Sequence, residues 1–99
     1  VWDATTGAPI APCILWQCRR SAAVCEGLTA AGHGALVEGR TGLAINPLFP
    51  ASKLGWVMEN VPSASDLARP GNLRAGTLVT WLFGDLPGGP KCARGTRAR

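Results

Sequence analysis

The run Leu15-Trp16-Gln17-Cys18-Arg19-Arg20 sets an indole beside an amide, a thiol and two guanidinium groups, and a second thiol and an acid follow at Cys25-Glu26. Downstream of the run, Ala22, Val24, Cys25 and Leu28 recur at near-helical spacing. That spacing predicts a helix over residues 19–31, stopped by Gly32. Gly27 inside it weakens the helix by ~1 kcal/mol relative to Ala. On such a helix Cys18 and Cys25, seven residues apart, share one face. Upstream, residues 10–16 read as a strand, with Pro12 marking an edge that lacks a ladder partner. Val1-Trp2 reads as the end of another strand. Asp3-Ala4-Thr5-Thr6-Gly7 reads as a turn, because Asp and Thr bond back to their own backbone and Gly supplies a positive φ.

Further along, residues 34–40 predict one or two helical turns before Thr41-Gly42. Two prolines make Ile45-Asn46-Pro47-Leu48-Phe49-Pro50 a loop, and Pro50 suits a first helical position. Leu54, Val57, Met58 and Val61 fall at i, i+3, i+4 and i+7, which predicts an amphipathic helix over 51–61 ended by Pro62. Ser65 is placed to cap a short helix over 66–69, closed by Pro70-Gly71. Residues 73–76 read as extended. Thr77 or Thr80 then opens a helix carrying Trp81, Leu82 and Leu86, stopped at Pro87-Gly88-Gly89. This inventory is helix-rich with few strands, too few to close a sheet. The missing strands are expected outside the chain or from a second copy of it.

A hydrophobic fraction of 46% and a charged fraction of 16% over 99 residues is globular composition. No apolar run approaches the ~20 residues of a membrane span, and no membrane partner is expected. The start at Val1, without an initiator Met or a leader pattern, is expected of a piece of a longer chain. The net charge is +4, yet residues 1–90 are neutral. Arg19, Arg20, Arg40, Lys53, Arg69 and Arg74 balance Asp3, Glu26, Glu38, Glu59, Asp66 and Asp85. The excess is Lys91, Arg94, Arg97 and Arg99, on a Gly/Arg tail without apolar period. A nucleic-acid binder carries its basic stripe on a folded face, so no nucleic-acid partner is expected and residues 90–99 read as a disordered basic tail.

Cys13, Cys18, Cys25 and Cys92 have no CxxC spacing, and the one histidine, His33, stands between glycines. That is not a zinc pattern. All four thiols are expected to be reduced, in a cytoplasmic protein. Gly84-Asp85-Leu86-Pro87-Gly88-Gly89 lacks the spacing and the lysine of a phosphate loop, and no nucleophile elbow is present. Composition and motif chemistry alone therefore declare no reaction.

Four stretches together say more: Val1-Trp2 through Thr6-Gly7 to Pro9-Ile10; Leu15 to Arg20 with Cys25-Glu26; Thr41-Gly42-Leu43 through Asn46-Pro47 to Phe49; and Lys53-Leu54-Gly55-Trp56 through Asn60-Val61 and Gly76-Thr77 to Thr80-Trp81-Leu82. Their order and spacing resemble the N-terminal domain of the FGGY family of carbohydrate kinases, in its glycerol kinase branch. The resemblance covers residues 1–89 and corresponds to about a fifth of a complete enzyme. It implies an α/β fold class, here a helix-rich piece of an actin-like, ribonuclease-H-like kinase domain. It also implies an activity of the parent enzyme, transfer of the ATP γ-phosphoryl group to a terminal hydroxyl of glycerol or a related polyol, with Mg²⁺ and an Asp as base. ATP and Mg²⁺ are expected for that parent, and no cofactor or metal site is expected within this chain.

The resemblance carries two substrate-binding positions onto this chain. Trp16 matches the tryptophan that packs against the carbons of glycerol, where an indole offers a flat apolar face and one N–H donor. Leu48 stands where the family's Asp-Pro-Tyr-Phe run places a tyrosine, so the substrate-bonding hydroxyl is gone. The base, the acid–guanidinium clamp and the nucleotide domain of the family have no counterpart here, and no catalytic residue is expected. Two further departures stand out. The family's Gly-Thr-x-Asp-Thr-Trp-Leu has Val79 for its acid, which removes a capping or structural carboxylate, and the family pattern vanishes after Gly89. The expected function is that of a piece of a polyol kinase. The competing expectation is a non-catalytic, degenerate or truncated remnant that folds and self-associates. Open sheet edges and apolar helix faces predict a homo-oligomer through the helices around Trp56 and Trp81.

Overall fold

A computed structural model of the chain describes residues 1–85. The basic tail, Cys92, Leu86 and the stop at 87–89 lie outside the described residues. The chain divides into two compact units, Val1–Cys13 with the chain from Val61 onward, and Ile14–Asn60.

In the first unit, strand β1 (Trp2–Asp3) pairs antiparallel with β2 (Leu73–Arg74), Trp2 opposite Arg74. The turn after β1 forms as its residues predict. The Asp3 carboxylate accepts the Thr5 N–H at 2.8 Å, and Gly7 takes φ 75°. The Thr5 N–H is the main reason the Asp3 carboxyl lies below its ordinary range. Residues 10–16 do not form the expected strand. A single bridge joins Trp2 to Pro9, and the segment beyond it is irregular, because Pro9 and Pro12 lack the N–H groups a ladder needs.

Helix α4 (Pro62–Ala68) corrects a second expectation. Pro62 does not merely end the preceding helix; it opens this one at a first-turn position where no N–H is required. Val61 before it is extended, at φ −109° and ψ 105°, as steric conflict with a following proline demands. The helix thus runs over 62–68 rather than 66–69, and Ser65 lies within it instead of capping it. Helix α5 (Leu78–Asp85) is held by the Trp81 indole N–H, which donates to the Gly7 carbonyl at 3.1 Å. Its start is not left uncapped by Val79. The Thr77 hydroxyl accepts the Thr80 N–H at 3.2 Å. Thr77→Ala is expected to destabilise the unit by about 1 kcal/mol, the usual worth of a side-chain cap. A urea melt with unchanged midpoint would refute that role.

The second unit holds helices α1 (Ala22–Ala30), α2 (Gly34–Thr41) and α3 (Pro50–Asn60). Helix α1 starts three residues later than predicted, so Cys18 lies in the approach to it, and the two thiols do not share a helical face. Gly32, at φ 83°, lets the chain leave α1, with the His33 N–H reaching the Leu28 carbonyl at 3.1 Å. Helices α1 and α3 pack through small residues. Ser21, wholly buried, meets Ser52 hydroxyl to hydroxyl at 3.0 Å, and the Arg20 guanidinium lies 4.8 Å from the centre of the Trp56 ring.

This contact turns α3 away from its predicted face. Val57 is buried, but so is Lys53, while Leu54 and Met58 stand 39% and 38% exposed. The apolar stripe read from the sequence is thus only partly covered. Cys25 and Val57 supply the buried apolar side chains of this unit, and Trp2 and Ala64 those of the first, among the described residues. Each fully buried Val-sized side chain stabilises by about 1.5–3 kcal/mol.

Candidate functional site

Trp16 stands in the turn that leads to α1, where the Cys18 N–H closes back on the Leu15 carbonyl at 3.1 Å. Its side chain is 68% exposed. An indole left this open is not a core residue of its unit.

Leu48 stands in the turn that leads to α3. The Asn46 carboxamide oxygen accepts the Leu48 N–H at 2.8 Å, and the Asn46 carbonyl accepts the Phe49 N–H at 3.1 Å. An Asp in the family pattern would accept the first bond equally well, so Asn46 preserves the turn. The Leu48 carbonyl accepts from the Lys53 ammonium at 2.9 Å. The Leu48 side chain itself is exposed.

Both positions therefore lie in turns that precede a pair of packed helices, five residues before Ser21 and four before Ser52. No hydrogen bond or ring contact joins Trp16 to Leu48. Sequence reasoning missed Lys53, which entered only as one of six balancing cations and as the start of a matching run. The signal available was its place in the first turn of a helix that follows an Asn-Pro loop, within reach of that loop's carbonyls.

A recess of about 430 Å³ runs along α1, lined by Arg19, Cys25, Glu26, Thr29, Ile45 and Pro47 among others. Neither Trp16 nor Leu48 lines it. It offers one acid, one guanidinium and mostly apolar atoms, with no convergent set of donors for a polyol.

Charge gathers at Cys18, a free and half-exposed thiol. The Arg20 Nε–H donates to its sulfur at 2.9 Å. The thiol is held below the usual thiol range, first by the Arg20 backbone N–H and then by the guanidinium, with the charges of Arg20 and Lys53 adding to the effect and partial burial opposing it. A lowered thiol pKa means more thiolate at neutral pH in the folded chain than in the unfolded one. Iodoacetamide at pH 7 is therefore expected to label Cys18 faster in the folded chain than in urea. The advantage should vanish as pH rises past the ordinary thiol range, where both forms are ionised, and should shrink without disappearing in Arg20→Met, which keeps the backbone N–H and loses only the guanidinium. Peptide mass spectrometry reads each site. Equal folded and unfolded rates at pH 7 would show that Arg20 does not hold the thiolate.

Among the described residues no group of three or more His, Cys, Asp or Glu side chains could hold a metal ion. No helix among them is long and apolar enough to cross a membrane.

Comparison with known proteins matches the FGGY family of carbohydrate kinases, N-terminal domain, to residues 1–97. The chain belongs to that family. Among FGGY relatives, it is 52% identical over 89 residues to a glycerol kinase of Ectopseudomonas mendocina, covering 90% of this chain and 18% of that protein. It is equally identical, with the same coverage, to glycerol kinase 1 of Pseudomonas aeruginosa. A Bordetella pertussis glycerol kinase is 45% identical over 89 residues, again with 90% and 18% covered. The chain thus spans about a fifth of the length of these FGGY kinases. Its origin is glycerol kinase-like, and its helix-rich build with a two-stranded sheet is that of a piece of the FGGY N-terminal domain.

Proposed function

We propose that this chain supplies part of the polyol-binding wall of an ATP-dependent kinase that phosphorylates a terminal hydroxyl of glycerol or a related polyol. Residues 1–89 form a piece of its actin-like N-terminal domain, and residues 90–99 a basic tail. The observation that carries this reading is the exposed indole of Trp16, placed in a family-matching turn. A flat apolar face left open to water serves a carbon chain that must be held without hydrogen bonds. Leu48 extends that wall with a second exposed apolar side chain where the family pattern has a hydroxyl.

ATP with Mg²⁺ supplies the transferable phosphoryl group in such an enzyme. Among the described residues no three His, Cys, Asp or Glu side chains come together that could hold a metal ion by themselves. As the family resemblance implies, we assign the residues that hold the nucleotide and the base that accepts the hydroxyl proton to the remainder of the proposed enzyme.

The test is a chimera in which this chain replaces the matching 89-residue stretch of the Ectopseudomonas mendocina relative. ADP release that depends on glycerol is the expected result. Release without polyol, or none at all from a folded chimera, would overturn the reading.

A second reading, a non-catalytic remnant that self-associates, is favoured by one observation. Leu78, Val79, Leu82 and Phe83 are each about half exposed, so α5 leaves apolar surface uncovered. Light scattering of the purified chain at tens of micromolar is expected to show a dimer or higher species. A monomer mass would remove this reading.

A further inference from the structure

Three hydrogen bonds fix the two peptide planes that flank the α-carbon of residue 48. The plane before it is held by its N–H, which donates to the Asn46 side chain at 2.8 Å. The plane after it is held from both sides: its carbonyl, that of Leu48, accepts from Lys53 at 2.9 Å, and its N–H, that of Phe49, donates to the Asn46 carbonyl at 3.1 Å. With both planes fixed, φ and ψ at residue 48 are fixed, and so is the direction in which its side chain leaves the backbone.

Lys53 holds its part of this arrangement under unusual conditions. It is more than nine-tenths buried, at 8% exposure, and no carboxylate pairs with it among the described residues. An ammonium has three donors, and among the described residues the Leu48 carbonyl accepts from one of them. Burying a charge with one hydrogen-bond acceptor and the neighbouring Cys18 sulfur is unfavourable, and an apolar side chain of the same length would pack the site with less penalty. A packing role alone does not account for a lysine at this position. A donor that must reach the residue 48 carbonyl across one helical turn does.

We propose that Lys53 is a positioning residue for polyol recognition: its buried ammonium, with Asn46, locks the backbone of residue 48 and so aims whichever side chain stands there at the substrate. This rests on the reading of Trp16 and Leu48 as substrate-facing. Lys53 touches no substrate. It sets how tightly a polyol is held, and not the rate of phosphoryl transfer once it is held. The arrangement also makes position 48 a specificity position, because side chains can be exchanged on an unchanged backbone.

The experiment compares Lys53→Met, which keeps the stem and removes the donor, with Lys53→Arg, which keeps a charged donor. In the full 99-residue chain, amide exchange is read by NMR. Lys53→Met is expected to speed exchange at Leu48 and Phe49 at least tenfold, while the amide of buried Val57 keeps its rate. Lys53→Arg is expected to stay within threefold of the parent at all three. In the chimera described above carrying Leu48→Tyr, which puts a hydroxyl on the locked backbone, Lys53→Met is expected to raise the glycerol KM at least tenfold with kcat within twofold, and Lys53→Arg to restore it.

Exchange that rises equally at Val57 would show a general structural role and overturn the proposal. So would a glycerol KM unmoved by Lys53→Met, or a kcat that falls with it. A chimera of the unchanged chain without glycerol-dependent turnover would instead overturn the kinase reading, and this inference with it. The exchange arm would still report whether the backbone lock exists.

Discussion

Leu48→Tyr in the chimera is expected to lower the glycerol KM ten- to a hundredfold. A polyol hydroxyl buried against leucine is left without a partner, at a penalty of about 1–3 kcal/mol, and each ~1.4 kcal/mol is tenfold in affinity. A phenol restores a donor and an acceptor. The backbone at residue 48 is already held by Asn46 and Lys53, so the new side chain departs in a set direction and little ordering opposes the gain. Leu48→Phe is the control, since it adds the ring without the hydroxyl, and its KM should stay within about threefold of the parent. Steady-state kinetics at varied glycerol check both. Equal effects of Tyr and Phe would show that ring packing, and not the hydroxyl, acts at this position.

The purified 99-residue chain is expected to release no ADP from ATP in the presence of glycerol and Mg²⁺. Phosphoryl transfer is catalysed almost entirely by positioning and charge neutralisation around the nucleotide, and enzymes owe accelerations of at least ~10⁶-fold to such arrangements. The described residues offer no cluster of metal ligands. A coupled assay at high enzyme concentration checks this. Glycerol-dependent turnover by the chain alone would mean that the family's machinery is not needed in full.

Much of the fold was legible because its signals are local. Gly7 and Gly32 mark positive-φ positions, Pro50 opens α3, and Thr77 caps α5; in each the deciding interaction lies within about five residues. The failures share a cause as well. Residues 10–16 have the apolar character of a strand, but a strand exists only where a neighbour can accept its ladder, and two prolines prevent that. Pro62 was legible as a break between helices, but its use as the first residue of α4 depends on how the chain continues. At the candidate site, Trp16 and Leu48 were identified through their matching runs, whereas the bonds that hold residue 48 were not. Lys53 reaches back five residues from a helix, and nothing in a charge count tells a buried ammonium from a solvated one.

The sequence by itself determined the family and the positions of α1, α2, α3 and α5. These follow from residue order and from interactions along the chain. Only the tertiary structure decided which face of α3 is covered. Leu54, Val57, Met58 and Val61 have helical spacing, but spacing fixes only which residues share a face. It is the close meeting of Ser21 with Ser52, two side chains small enough to let helices approach, that buries Val57 and Lys53 and leaves Leu54 and Met58 open. Burial belongs to the neighbour as much as to the residue, and a charge enters a core where a carbonyl waits to receive it.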